Sequence, residues 1–145
     1  MERTMHLKAI RLGFYAAGII NIGGILLFSK ALTNEVLMQS DPQTFSLLGC
    51  LTIMLWGAAY LVTAKAVTQA PLIALVFALE KMAYTVVWVT WVWRYGDTLP
   101  ILYDQDTMAG LFYMIYGIND ALFAVFFVLT FNHLRKQARL SSNIT

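Results

Sequence analysis

Hydrophobic residues along this chain form four long blocks that are separated by short polar segments. The blocks cover about 12–30, 45–66, 71–94 and 107–132. A helix needs roughly 20 mostly apolar residues to cross the ~30 Å hydrocarbon layer of a membrane, because each residue adds about 1.5 Å. All four blocks are about that long. The pattern therefore predicts an all-α integral membrane four-helix bundle in which residues 1–145 form a single domain.

Prolines mark the ends of the blocks. Pro71 begins the third block, where the missing N–H of a first helical turn is tolerated. Asp41-Pro42 and Leu99-Pro100 indicate two longer loops, since a residue before proline is disfavoured in helical geometry. The connection after Lys65 is short, so the second and third blocks are predicted to form an antiparallel hairpin.

Composition supports a membrane protein and excludes some functions. The chain is 59% hydrophobic and 12% charged, against about 45–50% and about 25% in soluble domains. The single cysteine, Cys50, excludes an intramolecular disulfide or a Cys-x-x-Cys redox pair. Charged residues lie mostly at the ends of the blocks, which leaves no contiguous basic face, so nucleic acid is not an expected partner.

Basic residues are distributed unequally between the two sides of the bundle. Seven lie at the termini or between the second and third blocks: Arg3, Lys8, Arg11, Lys65, Arg135, Lys136 and Arg139. The two other connections hold only Lys30 and Arg94. The positive-inside rule therefore predicts cytoplasmic N and C termini in a plasma or bacterial inner membrane. An aromatic belt is then expected at the outer interface, formed by Trp91, Trp93, Tyr95 and Tyr103.

The first block also fits a second interpretation, a cleaved secretory signal. A basic start, an apolar run and Ser29-Lys30-Ala31 resemble such a signal and its cleavage site. Asn21 and the pair Gly23-Gly24 interrupt the run, and they suit helix packing better than a signal core. The sequence thus favours a retained first helix.

Polar side chains occur near the middle of every block. Counted from the predicted cytoplasmic ends, they lie roughly 13–17 Å deep, close to the centre of the bilayer. This polar layer consists of Asn21, Glu80, Lys81 and Asp120, with Trp56 and Tyr60 of the second block at the same level. An ionisable group at this depth is unfavourable by about 2.5–3.5 kcal/mol, so each one should face inward and find a partner.

Opposite charges at matching depth predict a pair between Lys81 and Asp120. Glu80 is adjacent to Lys81 and points about 100° away from it, so it needs another partner. The candidates for Glu80 are Asn21, Tyr60 and Tyr84. Without a second basic residue at its depth, Glu80 is the best candidate for proton exchange.

The polar layer has two interpretations. A purely structural layer would lock the helices together through the predicted ion pair. A functional layer would bind a ligand, and aromatic residues at i+4 and i+8 from Glu80 extend it along one helix face. The predicted ligand-binding residues are Glu80, Asp120, Lys81, Asn21, Trp56, Tyr60, Tyr84 and Trp88.

Small residues, accompanied by polar and aromatic ones, recur at helical spacing and predict the surfaces through which the helices meet. On the first helix they are Gly13, Ala17, Asn21 and Gly24; on the second, Gly49, Thr52, Trp56, Tyr60 and Thr63; on the fourth, Tyr113, Gly117, Asp120, Ala124 and Phe127. The same faces make a homo-oligomer a candidate assembly.

Metal and cofactor sites are not predicted. His6 and His133 lie near the cytoplasmic helix ends, at the wrong depth for a buried haem. Asp97, Asp104 and Asp106 lack regular ligand spacing and indicate a solvated outer loop.

Three functions remain open. The first is a binding or transport protein for a lipophilic or weakly basic small molecule, with proton linkage as an option. The second is a membrane enzyme that acts on a lipid, sterol-like or isoprenoid substrate, with a carboxylate as acid or base. The third is a structural or regulatory subunit of a membrane complex. Membrane lipids are expected partners in each case.

Overall fold

The computed structural model describes the backbone of residues 2–69 and 71–142 and the side chains of residues 7–69 and 71–140. Arg3 and His6, used in the predictions above, therefore have side chains outside the described residues. The described chain is helical almost throughout. Its helices are α1 (Glu2–Phe28), α2 (Glu35–Ser40), α3 (Leu47–Ala66), α4 (Pro71–Tyr95), α5 (Leu99–Gln105) and α6 (Thr107–Ser142), with a 3-10 turn at Gly96–Thr98.

Four helical segments are long and apolar enough to cross a membrane, which confirms the predicted all-α fold with four long helices. They are Leu7–Phe28, Leu47–Ala66, Pro71–Gln105 and Thr107–Leu140. Only 28–33% of the residues in their most apolar windows are buried within the chain. Most apolar side chains thus face outward, as they do in an integral membrane protein.

The first helix ends two residues earlier than its hydrophobic block. After Phe28 the backbone turns left-handed at three consecutive residues, with φ values of 50° at Lys30, 57° at Ala31 and 69° at Leu32. Each such non-glycine residue is disfavoured by roughly 1–2 kcal/mol. The turn is held by hydrogen bonds, including one from the Leu32 N–H to Ser29 Oγ at 2.8 Å.

Residues 29–46 and 96–106 lie at the end of the bundle opposite the termini, which is called the outer end after the orientation predicted above. These connections also contain helices. The prediction that Leu99-Pro100 marks a loop is wrong, because Pro100 lies in the first turn of α5, where its missing N–H leaves no bond unmade. At the start of α3, Ser46 Oγ accepts a hydrogen bond from the Gly49 N–H at 3.2 Å. This N-cap explains why α3 begins at Leu47 rather than at residue 45.

The helices pack chiefly in two pairs, α1 with α3 and α4 with α6. In the first pair, a Cβ atom built on Gly57 would lie 3.0 Å from the Gly18 carbonyl oxygen. In the second pair, a Cβ atom on Gly117 would lie 2.0 Å from the Trp88 ring. Both glycines therefore permit close approach, and Gly117 confirms its predicted place at a helix contact.

The two pairs meet through aromatic side chains in two separate clusters. The inner cluster includes Phe14, Tyr60, Phe77 and Phe127. The outer cluster includes Phe45, Trp91, Phe112 and Tyr113. The polar layer lies between these clusters.

One member of the predicted aromatic belt belongs to the outer cluster instead. Trp91 is only 5% exposed, and its indole N–H donates to the Ser40 carbonyl at 3.1 Å. The belt prediction is therefore wrong for Trp91. Trp93, Tyr95 and Tyr103 are exposed, as that prediction requires.

Candidate functional site

An ion pair at the centre of the bundle joins α4 to α6. Lys81 Nζ lies 2.6 Å from Asp120 Oδ1 and 2.8 Å from Asn21 Oδ1, and the Lys81 side chain is 1% exposed. The predicted pairing of Lys81 with Asp120 is thus confirmed. A buried charge needs such a partner because the low-dielectric interior does not solvate it.

Asn21 connects this ion pair to the first two long helices. Its carbonyl oxygen accepts from Lys81, and its Nδ2 donates to the Ile53 carbonyl of α3 at 3.3 Å. Both ends of the amide are used within the protein. Asn21 therefore positions Lys81 and holds α1, α3 and α4 at one level.

Glu80 has a different environment from Asp120. One carboxyl oxygen, Oε2, accepts a hydrogen bond from the Tyr60 hydroxyl. The Tyr60 ring is fixed between Phe77 and Phe127, with centroid distances of 4.7 and 5.1 Å. The other oxygen, Oε1, is buried and makes no hydrogen bond within the described chain. Glu80 is thus oriented through one carboxyl oxygen, while the other has no hydrogen-bond partner among the described residues.

Glu80 lines a cavity of about 120 Å³ that is enclosed mainly by α1, α4 and α6. Five of the eight predicted ligand-binding residues line it: Asn21, Glu80, Lys81, Tyr84 and Asp120. For scale, an apolar cavity of about 150 Å³ accommodates a benzene ring. The cavity is somewhat smaller than that, so a ring-sized group is the upper limit of what it can hold beside Glu80.

The other three predicted residues lie outside the cavity lining. Trp56 packs edge-on against Phe77, at a centroid distance of 6.2 Å. Tyr60 lies behind Glu80 and fixes its carboxyl group. Trp88 donates from its indole N–H to the Tyr113 carbonyl at 2.7 Å. Their roles in this structure are to pack and position neighbouring groups.

An aromatic wall that the sequence prediction missed closes the outer end of the cavity. It consists of Phe28, Phe45, Phe112 and Tyr116. Tyr116 stacks on Phe112 with centroids 4.9 Å apart, and its hydroxyl is buried without a hydrogen bond among the described residues. Its position four residues before Asp120 was the available signal, since residues at i and i+4 share a helix face.

Gly24 also lines the cavity, and this corrects its predicted role. A Cβ atom built on Gly24 or on Gly23 would meet no atom within 4 Å, so neither residue makes a close helix contact. Gly13, by contrast, is in a tight contact, 2.2 Å from the Phe126 ring by the same construction. These glycine contacts lie within one chain, and a homo-oligomer stays a prediction.

A second polar cluster ties α1 to α6 at the outer end. Lys30 forms an ion pair with Asp106, which also accepts from Asn34 Nδ2 at 3.0 Å and from the Ala109 N–H at 2.8 Å. Burial raises the pKa of Asp106, but these hydrogen bonds outweigh burial and hold the pKa below its ordinary value. The prediction of a purely solvated acidic loop is therefore wrong for Asp106.

No group of three His, Cys, Asp or Glu side chains within the described residues is arranged as a metal site. The lack of a metal or cofactor stays a prediction. At the opposite end of α6, His133 Nε2 lies 2.8 Å from Gln137 Nε2.

Fold and cavity together define the class of protein: a small four-helix membrane protein with a largely apolar cavity halfway along its helices, into which a few polar side chains are built. Comparisons of the chain with family models, curated proteins and solved structures found no match.

Proposed function

We propose that the protein binds a lipophilic small molecule that carries a protonatable nitrogen, and that Glu80 holds this nitrogen. The observation that carries the proposal is that Glu80 lines the cavity while its second carboxyl oxygen, the buried Oε1, makes no hydrogen bond within the described chain. An ammonium N–H is the natural donor for a carboxylate oxygen in such a place.

The charges of the layer support a cationic ligand. Lys81 and Asp120 neutralise one another across 2.6 Å. Ionised Glu80 then leaves one negative charge, which is unfavourable in a low-dielectric interior unless a cation or a proton joins it. Ammonium and proton therefore compete for the same carboxyl group, and this competition would link binding to pH.

Aromatic rings around the cavity support the same ligand. Phe28, Phe45, Phe112 and Tyr116 line it, and ring faces attract ammonium groups by about 0.5–2 kcal/mol each. The rest of a lipophilic amine would find apolar contacts on these rings. The Tyr116 hydroxyl offers a further hydrogen bond to an oxygen of the ligand.

The alternatives have less support. For an acid and base enzyme, Asp120 is a poor candidate because Lys81 already binds it. For movement across the membrane, the cavity would need exits toward both ends, and aromatic clusters lie beyond each end of the polar layer. For a purely structural layer, the carboxyl group of Glu80 would need partners for both oxygens.

The test uses the full-length protein in lipid nanodiscs with benzylamine and benzyl alcohol as compact probes. Binding is measured by equilibrium dialysis, with empty nanodiscs subtracted. We expect benzylamine to bind at least tenfold more tightly than benzyl alcohol and to weaken as the pH falls from 8 to 5, because protons compete for Glu80. Both effects should disappear in Glu80→Gln.

Glu35→Gln is the matched control, since Glu35 is exposed at the start of α2. It should bind benzylamine as the wild type does. Equal binding of amine and alcohol to the wild type, or an unchanged pH profile in a folded Glu80→Gln protein, would refute the proposal.

A further inference from the structure

The cavity is bordered by α1 and α6, which contact each other on both sides of it. Toward the inner cluster, the Phe14 ring packs on Phe127 at 5.0 Å. Toward the outer end, Phe28 packs on Phe112 at 5.7 Å. Between these two contacts, residues of both helices line the cavity.

Between α1 and α6, the cavity is lined partly by residues that are exposed on the surface of the bundle. Ile20 of α1 is 45% exposed and Ile115 of α6 is 46% exposed, yet both border the cavity. Gly24 lies one turn after Ile20, and a Cβ atom there would meet nothing within 4 Å. The cavity therefore opens sideways between α1 and α6, toward the surface that faces lipid.

A polar side chain stands at this lateral opening. Asn119 is half-buried, lines the cavity and directs its Nδ2 toward Asp120 Oδ1 at 3.4 Å. An amide at a lipid-facing surface is unfavourable unless it has polar partners. Here the Asn119 amide lies between the apolar residues at the opening and the buried carboxyl groups of the cavity.

We propose that the ligand is a single-chain amphiphilic amine that enters from the bilayer through the lateral opening. Its nitrogen reaches Glu80, and its hydrocarbon chain leaves the cavity between Ile20 and Gly24 on one side and Ile115 on the other. This inference rests on the proposed function and adds the ligand class and its route. The volume of about 120 Å³ supports it, because a long chain does not fit inside and must extend into lipid.

The opening can be narrowed at Gly24, with a matched control at the adjacent glycine. Leucine at position 24 adds a side chain at the opening without a clash at Cβ, whereas Gly23 is exposed and does not line the cavity. Radiolabelled decylamine is the probe, measured with protein in nanodiscs. We expect Gly24→Leu to weaken binding at least tenfold and Gly23→Leu to change it less than twofold.

A second variant and a second probe test the lateral opening independently of Gly24. Ile115→Trp narrows the opening from α6 and should also weaken decylamine binding. A decylamine with a photoreactive diazirine at mid-chain should label residues around 20–24 and 115–119. Unchanged decylamine affinity in both narrowed variants, or labelling confined to other helix surfaces, would overturn the lateral route.

The outcomes separate the two proposals. If Glu80→Gln abolishes decylamine binding while Gly24→Leu and Ile115→Trp bind normally, the amine site stands and the lateral route fails. If Glu80→Gln binds decylamine as the wild type does, the amine site itself fails.

Discussion

Two neighbouring side chains on α4 have opposite tasks. Lys81 donates hydrogen bonds to Asp120 and Asn21, whereas Glu80 keeps one oxygen free of protein hydrogen bonds among the described residues. Because adjacent helical residues point about 100° apart, they meet different neighbours. The ion pair therefore stabilises the packing of the helices, and the neighbouring Glu80 carboxyl group can still accept a hydrogen bond from a ligand.

The stabilising role of the pair gives a testable prediction. Lys81→Met should destabilise the fold by about 3–5 kcal/mol, because Asp120 is left charged and buried without its partner. The double variant Lys81→Met with Asp120→Leu should be more stable than the Lys81→Met single variant, since it leaves no unpaired charge. The free energy of unfolding, measured by denaturant titration in mixed micelles, checks both. Additive losses in the double variant would contradict the coupling.

Equal depth together with opposite charge predicted the pair between Lys81 and Asp120, although depth alone did not distinguish Lys81 from its neighbour Glu80. Asn21, Lys81 and Asp120 meet because they lie at equal depth on helices that pack around one centre. The aromatic wall was missed because the predicted face of α6 included Tyr113 but not Tyr116, which lies three residues later and lines the cavity. Rotation of a helix about its axis depends on all of its neighbours, and hydrophobicity on every side of a membrane helix hides it.

Among the elements, α6 is preceded by Asp106, which makes two kinds of interaction. Asp106 caps the helix through the Ala109 N–H and also pairs with Lys30 of the turn after α1. Its pKa is held below the ordinary value. A carboxyl group with a lower pKa in the folded state stabilises the fold above its unfolded pKa, and this stabilisation is lost as the pH falls through the folded value.

We therefore predict that unfolding becomes easier as the pH falls below about 4, the ordinary range for aspartate. Asp106→Asn should remove part of this acid sensitivity and keep the cap, because an amide oxygen can still accept from the Ala109 N–H. Asp106→Ala should lose a further ~0.5–2 kcal/mol with the cap. Melting temperatures between pH 3 and 7 measure both, with Asp97→Asn as an exposed control. An equal acid dependence in wild type and Asp106→Asn would refute this role.

The sequence predicted the presence of the long helices better than the residues at which they end. Hydropathy located all four long helices, but it placed the end of the first at residue 30. The actual stop uses three left-handed residues without a glycine, whereas glycine is the usual signal at such a position. The energy that supports this turn comes from Ser29 and Asn34, whose hydrogen bonds depend on the folded chain.

For the whole molecule, the distribution of basic residues predicts that both termini share the cytoplasmic side. Exposed positions on each side allow a direct test after Cys50→Ala: Thr68→Cys, Ala138→Cys and Asp104→Cys. In intact cells, a membrane-impermeant maleimide should label Asp104→Cys. The other two variants should react only after permeabilisation. Labelling of Ala138→Cys and Asp104→Cys from the same side would contradict the predicted orientation.

The two ties between α1 and α6 have a mechanical consequence for the lateral opening. Phe14 and Phe127 hold one end, and Lys30 with Asp106 holds the other. Because α1 and α6 are joined at both ends of the opening, its length is fixed. Its width changes only if one helix bends or one of these two contacts breaks. Such an opening selects ligands by their cross-section. A single hydrocarbon chain can enter it, whereas a fused-ring molecule of similar hydrophobicity is too wide.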